Sequence, residues 1–343
     1  MLHRYFLTAS LVLLGSAADV WAGDTATEPF DDSAIESVHY PDWFKESFLV
    51  LSDDAADAEA DGKRGLFLFF STQGCSYCHL FIEKVLGDPA LSARLRAHFD
   101  SIGLEIFSDA EITGFNGEET RVKTFALEQG VEFAPTLLFF DTDGQPLLRL
   151  TGYYGPDQFA RALDYLTTDA DSGLSWREYR AAAQEDAGGS TWSLRADPLF
   201  AEPPFALDRT QVEAERPLLV LFEGADCVRC ERFHDEVLGD APTRDRLAAF
   251  DVVRLDADDT KTPVLTPDGR RTTPSDWYRS FAFTQLPALV FFSESGEPVL
   301  ETDALVLESR MNNSIGFVTQ RAYEKDWNYQ RFARSQALKK LAP

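Results

Sequence analysis

The chain of 343 residues is predicted to fold as two like α/β domains in tandem, each a central mixed sheet flanked by helices. Three observations carry this. Cys75-Ser76-Tyr77-Cys78 returns as Cys227-Val228-Arg229-Cys230 at a shift of 152, the difference between 75 and 227. The same shift pairs Phe70 with Phe222, Phe81 with Phe233, Val85-Leu86-Gly87-Asp88 with Val237-Leu238-Gly239-Asp240, Phe139-Phe140 with Phe291-Phe292 and Pro146 with Pro298. In both copies an apolar run precedes the cysteines, and a proline, Pro135 or Pro287, opens a second apolar run about sixty residues later. Chance does not hold one register over so long a stretch, and a repeat of this length is a domain rather than a solenoid unit.

Each element follows in order. Leu66 to Ser71 and Leu218 to Glu223 are apolar almost throughout, as buried central strands are. After each CxxC, Phe81, Val85 and Leu86, or Phe233, Val237 and Leu238, recur at helical spacing. A second strand is expected at Ile102 to Phe107 and at Val252 to Leu255. Turns at Asn116-Gly117 and Asp268-Gly269 then lead to helices over Glu119 to Gln129 and Pro274 to Phe283. Strands Thr136 to Phe140 and Ala288 to Phe292 form hairpins through Gly144 and Gly296. Closing helices are expected at Pro156 to Leu166 and roughly Ser314 to Tyr323. Outside the repeat, a helix is expected to begin at Pro41-Asp42, with Trp43, Phe44, Phe48, Leu49 and Leu51 as its apolar side. Two more are expected at Trp176 to Gln184 and Asn328 to Leu341, the last packing Tyr329 and Phe332 on the body.

Met1 to Ala22 reads as a signal peptide cut after Ala22: a weakly basic start, the apolar stretch Phe6 to Leu14, then small residues. The rival reading is an uncleaved membrane anchor. The domains expected are residues 36–168 and 196–343, joined by an acidic linker at 169–195 that is rich in Ala, Gly, Asp and Glu and holds the short helix at Trp176 to Gln184. Cleavage removes Arg4 and Asp19 together, so the net charge of −25 belongs to the exported chain. Such a field repels nucleic acid and anionic lipid, and no nucleic-acid partner is expected. Four cysteines in two close pairs are too few for a disulfide-stapled scaffold.

A strand, a CxxC at a helix start and a proline entering a later hairpin strand together resemble the thioredoxin fold, in both halves. Phe70-Ser71-Thr72-Gln73-Gly74-Cys75-Ser76-Tyr77-Cys78-His79, Val85-Leu86-Gly87-Asp88, Ala134-Pro135-Thr136 and Gly152-Tyr153 are most similar to SoxW-like periplasmic thioredoxins. The resemblance implies two tandem thioredoxin-like domains and a periplasmic thiol–disulfide oxidoreductase, a reductase of protein or small-molecule disulfides kept reduced by a membrane electron relay. It implies Cys75 as nucleophile, Cys78 as resolving thiol and Pro135 as a cis-proline facing them, with Cys227, Cys230 and Pro287 at the same places in the second domain. Pro135, Thr136 and Pro287 are the implied substrate-binding residues.

The chemistry also stands on the residues. A cysteine opening a helix meets unpaired N–H groups and the positive end of the dipole, which favour the attacking thiolate. A second cysteine three residues on can resolve the mixed disulfide. A cis-proline leaves an open backbone edge beside the sulfurs where an extended client can pair. No cofactor is expected. The competing readings are a c-type haem site through Cys75-Ser76-Tyr77-Cys78-His79, a four-cysteine zinc site, static disulfides and a non-catalytic binding or chaperone module. Glu231 stands where the haem motif needs a second histidine, and Met311 lies far from the first pair. His79 can tune Cys75 or sit idle on the helix surface. Arg229 favours and Asp226 opposes a Cys227 thiolate. The buried acid thioredoxin keeps on its central strand is replaced by Phe69 and Leu221, leaving Glu83 and Asp235 as candidate bases. Gly74 and Ala134 leave room for a client in the first domain, where Asp226 and Leu286 crowd the second.

Overall fold

The computed structural model describes residues 30–170, 172–185, 196–212, 214–225, 227–281, 283–325 and 327–341. The expected signal peptide, Asp226 and residues 186–195 of the expected linker lie outside them. In the first copy the order is α1 (Leu51–Ala60), β1 (Gly65–Ser71), α2 (Ser76–Phe81), α3 (Pro89–His98), β2 (Phe99–Glu105), β3 (Glu111–Thr113), β4 (Glu119–Arg121), α4 (Val122–Glu128), β5 (Thr136–Asp141), β6 (Pro146–Thr151) and α5 (Pro156–Leu166). Helix α6 (Trp176–Glu185) follows. The second copy runs β7 (Leu218–Glu223), α7 (Val228–Phe233), α8 (Ala241–Leu247), β8 (Asp251–Asp256), β9 (Val264–Leu265), β10 (Arg271–Thr272), α9 (Pro274–Ser280), β11 (Ala288–Phe292), β12 (Pro298–Thr302) and α10 (Glu308–Thr319), and the chain closes with α11 (Tyr329–Leu341).

The two main sheets have the same topology, β2-β1-β5-β6 and β8-β7-β11-β12. In each, the strand before the cysteines pairs parallel with one neighbour and antiparallel with the strand after the proline. Every residue of β1 and β7 is buried, so apolar side chains fill both faces and helices cover both. The repeated Val-Leu-Gly-Asp run has a physical cause. In both copies the helix widens into a π turn, Ile82–Leu86 and His234–Leu238, and the glycine that follows lies against the helix backbone. A Cβ on Gly87 would stand 2.4 Å from the Glu83 carbonyl, and one on Gly239 as close to that of Asp235. The aspartate caps the next helix: Asp88 accepts from Ala90 and Leu91 N–H, Asp240 from Thr243 N–H.

Several boundaries differ from expectation. No helix starts at Pro41: residues 41–44 make a turn, Leu49 takes a positive φ of 60°, and α1 begins at Leu51. Tyr40, Trp43 and Phe44 pack on the first core instead, while Phe48 is 99% exposed. Strand β2 starts at Phe99, where it meets Gly65. Glu119–Arg121 is drawn into a ribbon with β3, so α4 starts only at Val122. Helix α9 stops at Ser280, because Phe281 is extended and Phe283 turns into the core. Helix α10 begins at Glu308, well before Ser314, because its cap comes from outside: Asp32 accepts from the N–H groups of Ser309 (3.1 Å) and Arg310 (2.9 Å). Glu308 stands at the 152 shift from Pro156, so the repeat extends through this helix.

The two domains are packed together. Helix α6 bridges them, with Trp176 in the first core and Arg177 donating to the carbonyls of Phe281 (3.2 Å) and Phe283 (2.5 Å). Helix α11 returns to the first domain, where Tyr329 stacks on Phe133 at 4.7 Å and Arg334 lies 3.6 Å from Glu105. Phe133, from the first domain, belongs to the second domain's core. Among the described residues no helix is long and apolar enough to cross a membrane.

Candidate active site

Each CxxC closes the same way. Cys75 caps α2, and the N–H of Cys78 points at Cys75 Sγ from 3.1 Å. Cys227 caps α7, with Cys230 N–H also 3.1 Å from its sulfur. Both pairs are disulfides. In both, the first cysteine is half-buried and the second buried, Cys78 at 0% and Cys230 at 3% exposure. The first sulfur therefore meets both solvent and the donors of a helix start, the environment that stabilises a thiolate.

The prolines stand where the repeat places them. Ala134–Pro135 and Leu286–Pro287 are cis, and both prolines are buried at the mouth of the strand beside the CxxC strand. Thr136 turns its hydroxyl back to the Phe133 carbonyl at 2.6 Å rather than outward. The edge expected to be open at Ala134 is occupied. Arg310 of the second domain donates to the Ala134 carbonyl at 3.0 Å and to that of Leu305 at 2.8 Å, and its guanidinium lies 3.8 Å from the Tyr77 ring centroid. Tyr77 is itself locked: its hydroxyl donates to Asp32 (2.9 Å) and accepts from the N–H of Leu307 (3.3 Å). Burial pushes the Tyr77 phenol well above its usual value despite the Arg310 charge, so it stays a neutral donor.

The second site is covered in kind. Arg229, which holds the place of Tyr77, turns into the domain interface and donates to Gln285 Oε1 and to the Asp303 carbonyl (3.2 Å). It is thus committed to the interface rather than to Cys227. Gln158, which holds the place of Arg310, donates to the same Gln285 oxygen at 3.3 Å, and Tyr154 meets Thr284 at 2.8 Å. The Asp303 carboxylate accepts from Thr284 N–H (2.5 Å), Thr284 Oγ1 (3.0 Å) and Gln285 N–H (3.0 Å), fixing the loop before Pro287. Burial raises its pKa, and the Thr284 bonds partly oppose that.

Glu83 does not reach Cys78. It lies on the solvent face, paired with Lys84 at 2.8 Å and 3.9 Å from His79, and Lys84 holds its carboxyl below the usual range. Asp235 likewise lies on an exposed stretch of helix. A buried ion cluster does follow the second pair: His234, one turn after Cys230, meets Glu223 at 2.7 Å, with Arg254 3.6 Å from the same carboxylate. The equivalent places in the first domain are Ile82 and Ser71, and Ser71 bonds Tyr40 at 2.6 Å. Sequence reasoning missed Arg310, Asp32, Asp303 and this cluster. Extending the 152 shift past Pro298 would have aligned Arg310 with Gln158, but nothing local marks what either touches.

A family model described as a thioredoxin-like domain matches residues 51–167 and again 206–318. The chain belongs to the thioredoxin-like family. Thioredoxin-like domains carrying two CxxC pairs support a thiol–disulfide oxidoreductase that exchanges with disulfide substrates. The chain is similar in structure to a thioredoxin-fold protein from Helicobacter pylori, at 20% identity over 42% of this chain and 92% of that one, TM-score 0.34. It is similar to a protein disulfide oxidoreductase from Aeropyrum pernix, at 12% identity over 82% and 97% of the two chains, TM-score 0.25. A DsbH oxidoreductase aligns at 14% identity over 40% and 90%, TM-score 0.27. No curated protein matches the chain.

Proposed function

We propose that the protein is an exported, periplasmic disulfide reductase in which Cys75 attacks and Cys78 resolves. The observation that carries this is the pairing of a half-exposed sulfur at a helix start with a buried partner. The Cys75 thiolate attacks a client disulfide, forming a mixed disulfide and releasing one client thiolate. Cys78 then attacks Cys75 Sγ, releases the second client thiol and leaves the oxidised pair. A dithiol donor, a membrane electron relay, restores the thiols, and the second domain passes those electrons on through Cys227 and Cys230. Reduction of oxidised glutathione, a low-molecular-weight disulfide, by dithiothreitol tests the reading. The wild type should accelerate it, and a variant with all four cysteines changed to serine should not. Equal rates for the two would overturn catalysis in favour of a binding module.

A further inference from the structure

The contact between Arg310 and Ala134 bears on which disulfides the first site admits. An extended client of a CxxC site gains affinity by pairing its backbone with the edge before the cis-proline. Here the carbonyl on that edge already has a charged donor, Arg310, which is only 6% exposed. The donor is held from three sides. Its backbone N–H is capped by Asp32, its second guanidinium nitrogen is taken by Leu305, and its flat face lies on Tyr77. Asp32 ties Tyr77 to the start of α10 at once, so the aromatic floor and the arginine are fixed together. What remains beside Cys75 is a cleft of about 100 Å³, bordered by Asp32, Ile35, Gly74, Gln330 and Arg334. Pockets that enclose a drug-sized ligand run from about 300 Å³ upward. The cleft takes the end of a molecule, not a strand.

We propose that Arg310 sets the specificity of the first site: by holding the Ala134 carbonyl it excludes extended polypeptide and restricts Cys75 to low-molecular-weight disulfides that enter end-on. This rests on the exchange activity proposed above. Arg310 touches no reacting atom and acts by denying a hydrogen bond to the competitor substrate. The pseudo-equivalent Gln158 reaches the Gln285 side chain at the second site rather than the carbonyl of the edge, so the charged block is particular to the first site.

The test uses the full chain with Cys227 and Cys230 changed to serine, reduced with dithiothreitol and desalted. Two probes carry the same leaving group, 2,2′-dithiodipyridine and a ten-residue extended peptide with a thiopyridyl disulfide at its central cysteine. In each, the Cys75 thiolate forms a mixed disulfide with the probe sulfur and pyridine-2-thione leaves. Cys78 then displaces the probe thiol. Rates are normalised to those of glutathione with each probe. The peptide should react roughly tenfold slower than the small probe, the worth of one hydrogen bond to a charged group. Arg310→Met, which keeps the packing on Tyr77 without the donor, should close most of that gap and leave the small-probe rate unmoved. A peptide that reacts as fast as the small probe in the Arg310 protein overturns the proposal even if Arg310→Met does not fold. So does a folded Arg310→Met with an unchanged ratio. If neither probe reacts, the exchange activity fails and takes the proposal with it; if the small probe reacts and the ratio is flat, only the specificity claim fails.

Discussion

Gly152 and Ala304 hold the same place in the two copies, and they touch. A Cβ on Gly152 would lie 2.5 Å from that of Ala304 and 2.9 Å from its Cα. Equivalent residues in contact mark the approximate two-fold axis of an isologous interface. Around it the contacts exchange partners: Gln158 reaches Gln285, and Arg310 reaches the aligned stretch at Phe133 and Ala134. Each domain thus lays the segment after its last sheet strand over the other's CxxC face. Gly152→Ala should break this fit, since its φ of 85° is costly for any side chain and the added methyl meets Ala304. We expect a loss of about 1–3 kcal/mol, read as a lower urea midpoint by tryptophan fluorescence. An unchanged midpoint would show that the domains are not in register here.

The exposure difference within the first pair makes the roles of its cysteines separable. Cys78→Ser should accumulate mixed disulfides through Cys75, and Cys75→Ser should trap little, because Cys78 is fully buried. Intact-mass spectrometry of the adduct left by a small disulfide decides it. Equal trapping would contradict the assignment.

The second pair is expected to serve turnover. Cys227→Ser should leave most of the single-turnover rate of substrate reduction but slow repeated turnover when electrons enter from a membrane donor. The relay also requires the Cys227–Cys230 pair to have the lower reduction potential. Redox titration of the two pairs checks this, and a higher potential for the second pair removes the relay while leaving the chemistry at Cys75 intact.

Entry into the second domain is held by a pH-sensitive pair. Arg244 grips both carboxylate oxygens of Asp197, at 2.7 and 2.9 Å, and this, with help from the Leu199 N–H, lowers the Asp197 pKa to about 2. A carboxyl depressed below its ordinary value of about 4 contributes stability that is present above that value and lost as pH falls through about 2. With the solvent screening of a partly exposed pair, the contribution is on the order of 1 kcal/mol. Asp197→Asn should therefore be less stable than the wild type by a constant amount above about pH 5, with the gap shrinking below that and closing only once pH drops under about 2. A gap that persists unchanged to that pH would mean the carboxylate charge is not what stabilises.

The sequence by itself determined the parts built from local pattern. The cysteine pairs, Pro135 and Pro287, the buried strands and the Val-Leu-Gly-Asp run could be read because each is short-range chemistry written twice, with the second copy checking the first. What the duplication could not show is how the copies face one another. Only the tertiary structure decided that Asp32 caps α10, that Arg310 sits on Ala134, and that Asp303 holds the loop at Thr284. Each joins groups brought together by packing, and a hydrogen bond between distant segments leaves no periodicity in either. Leu307 offers no side-chain cap, so the start of α10 was invisible locally. The edge beside Pro135 looked open for the same reason: a single domain leaves it bare, and only burial of the second domain's face against the first supplies the arginine that fills it.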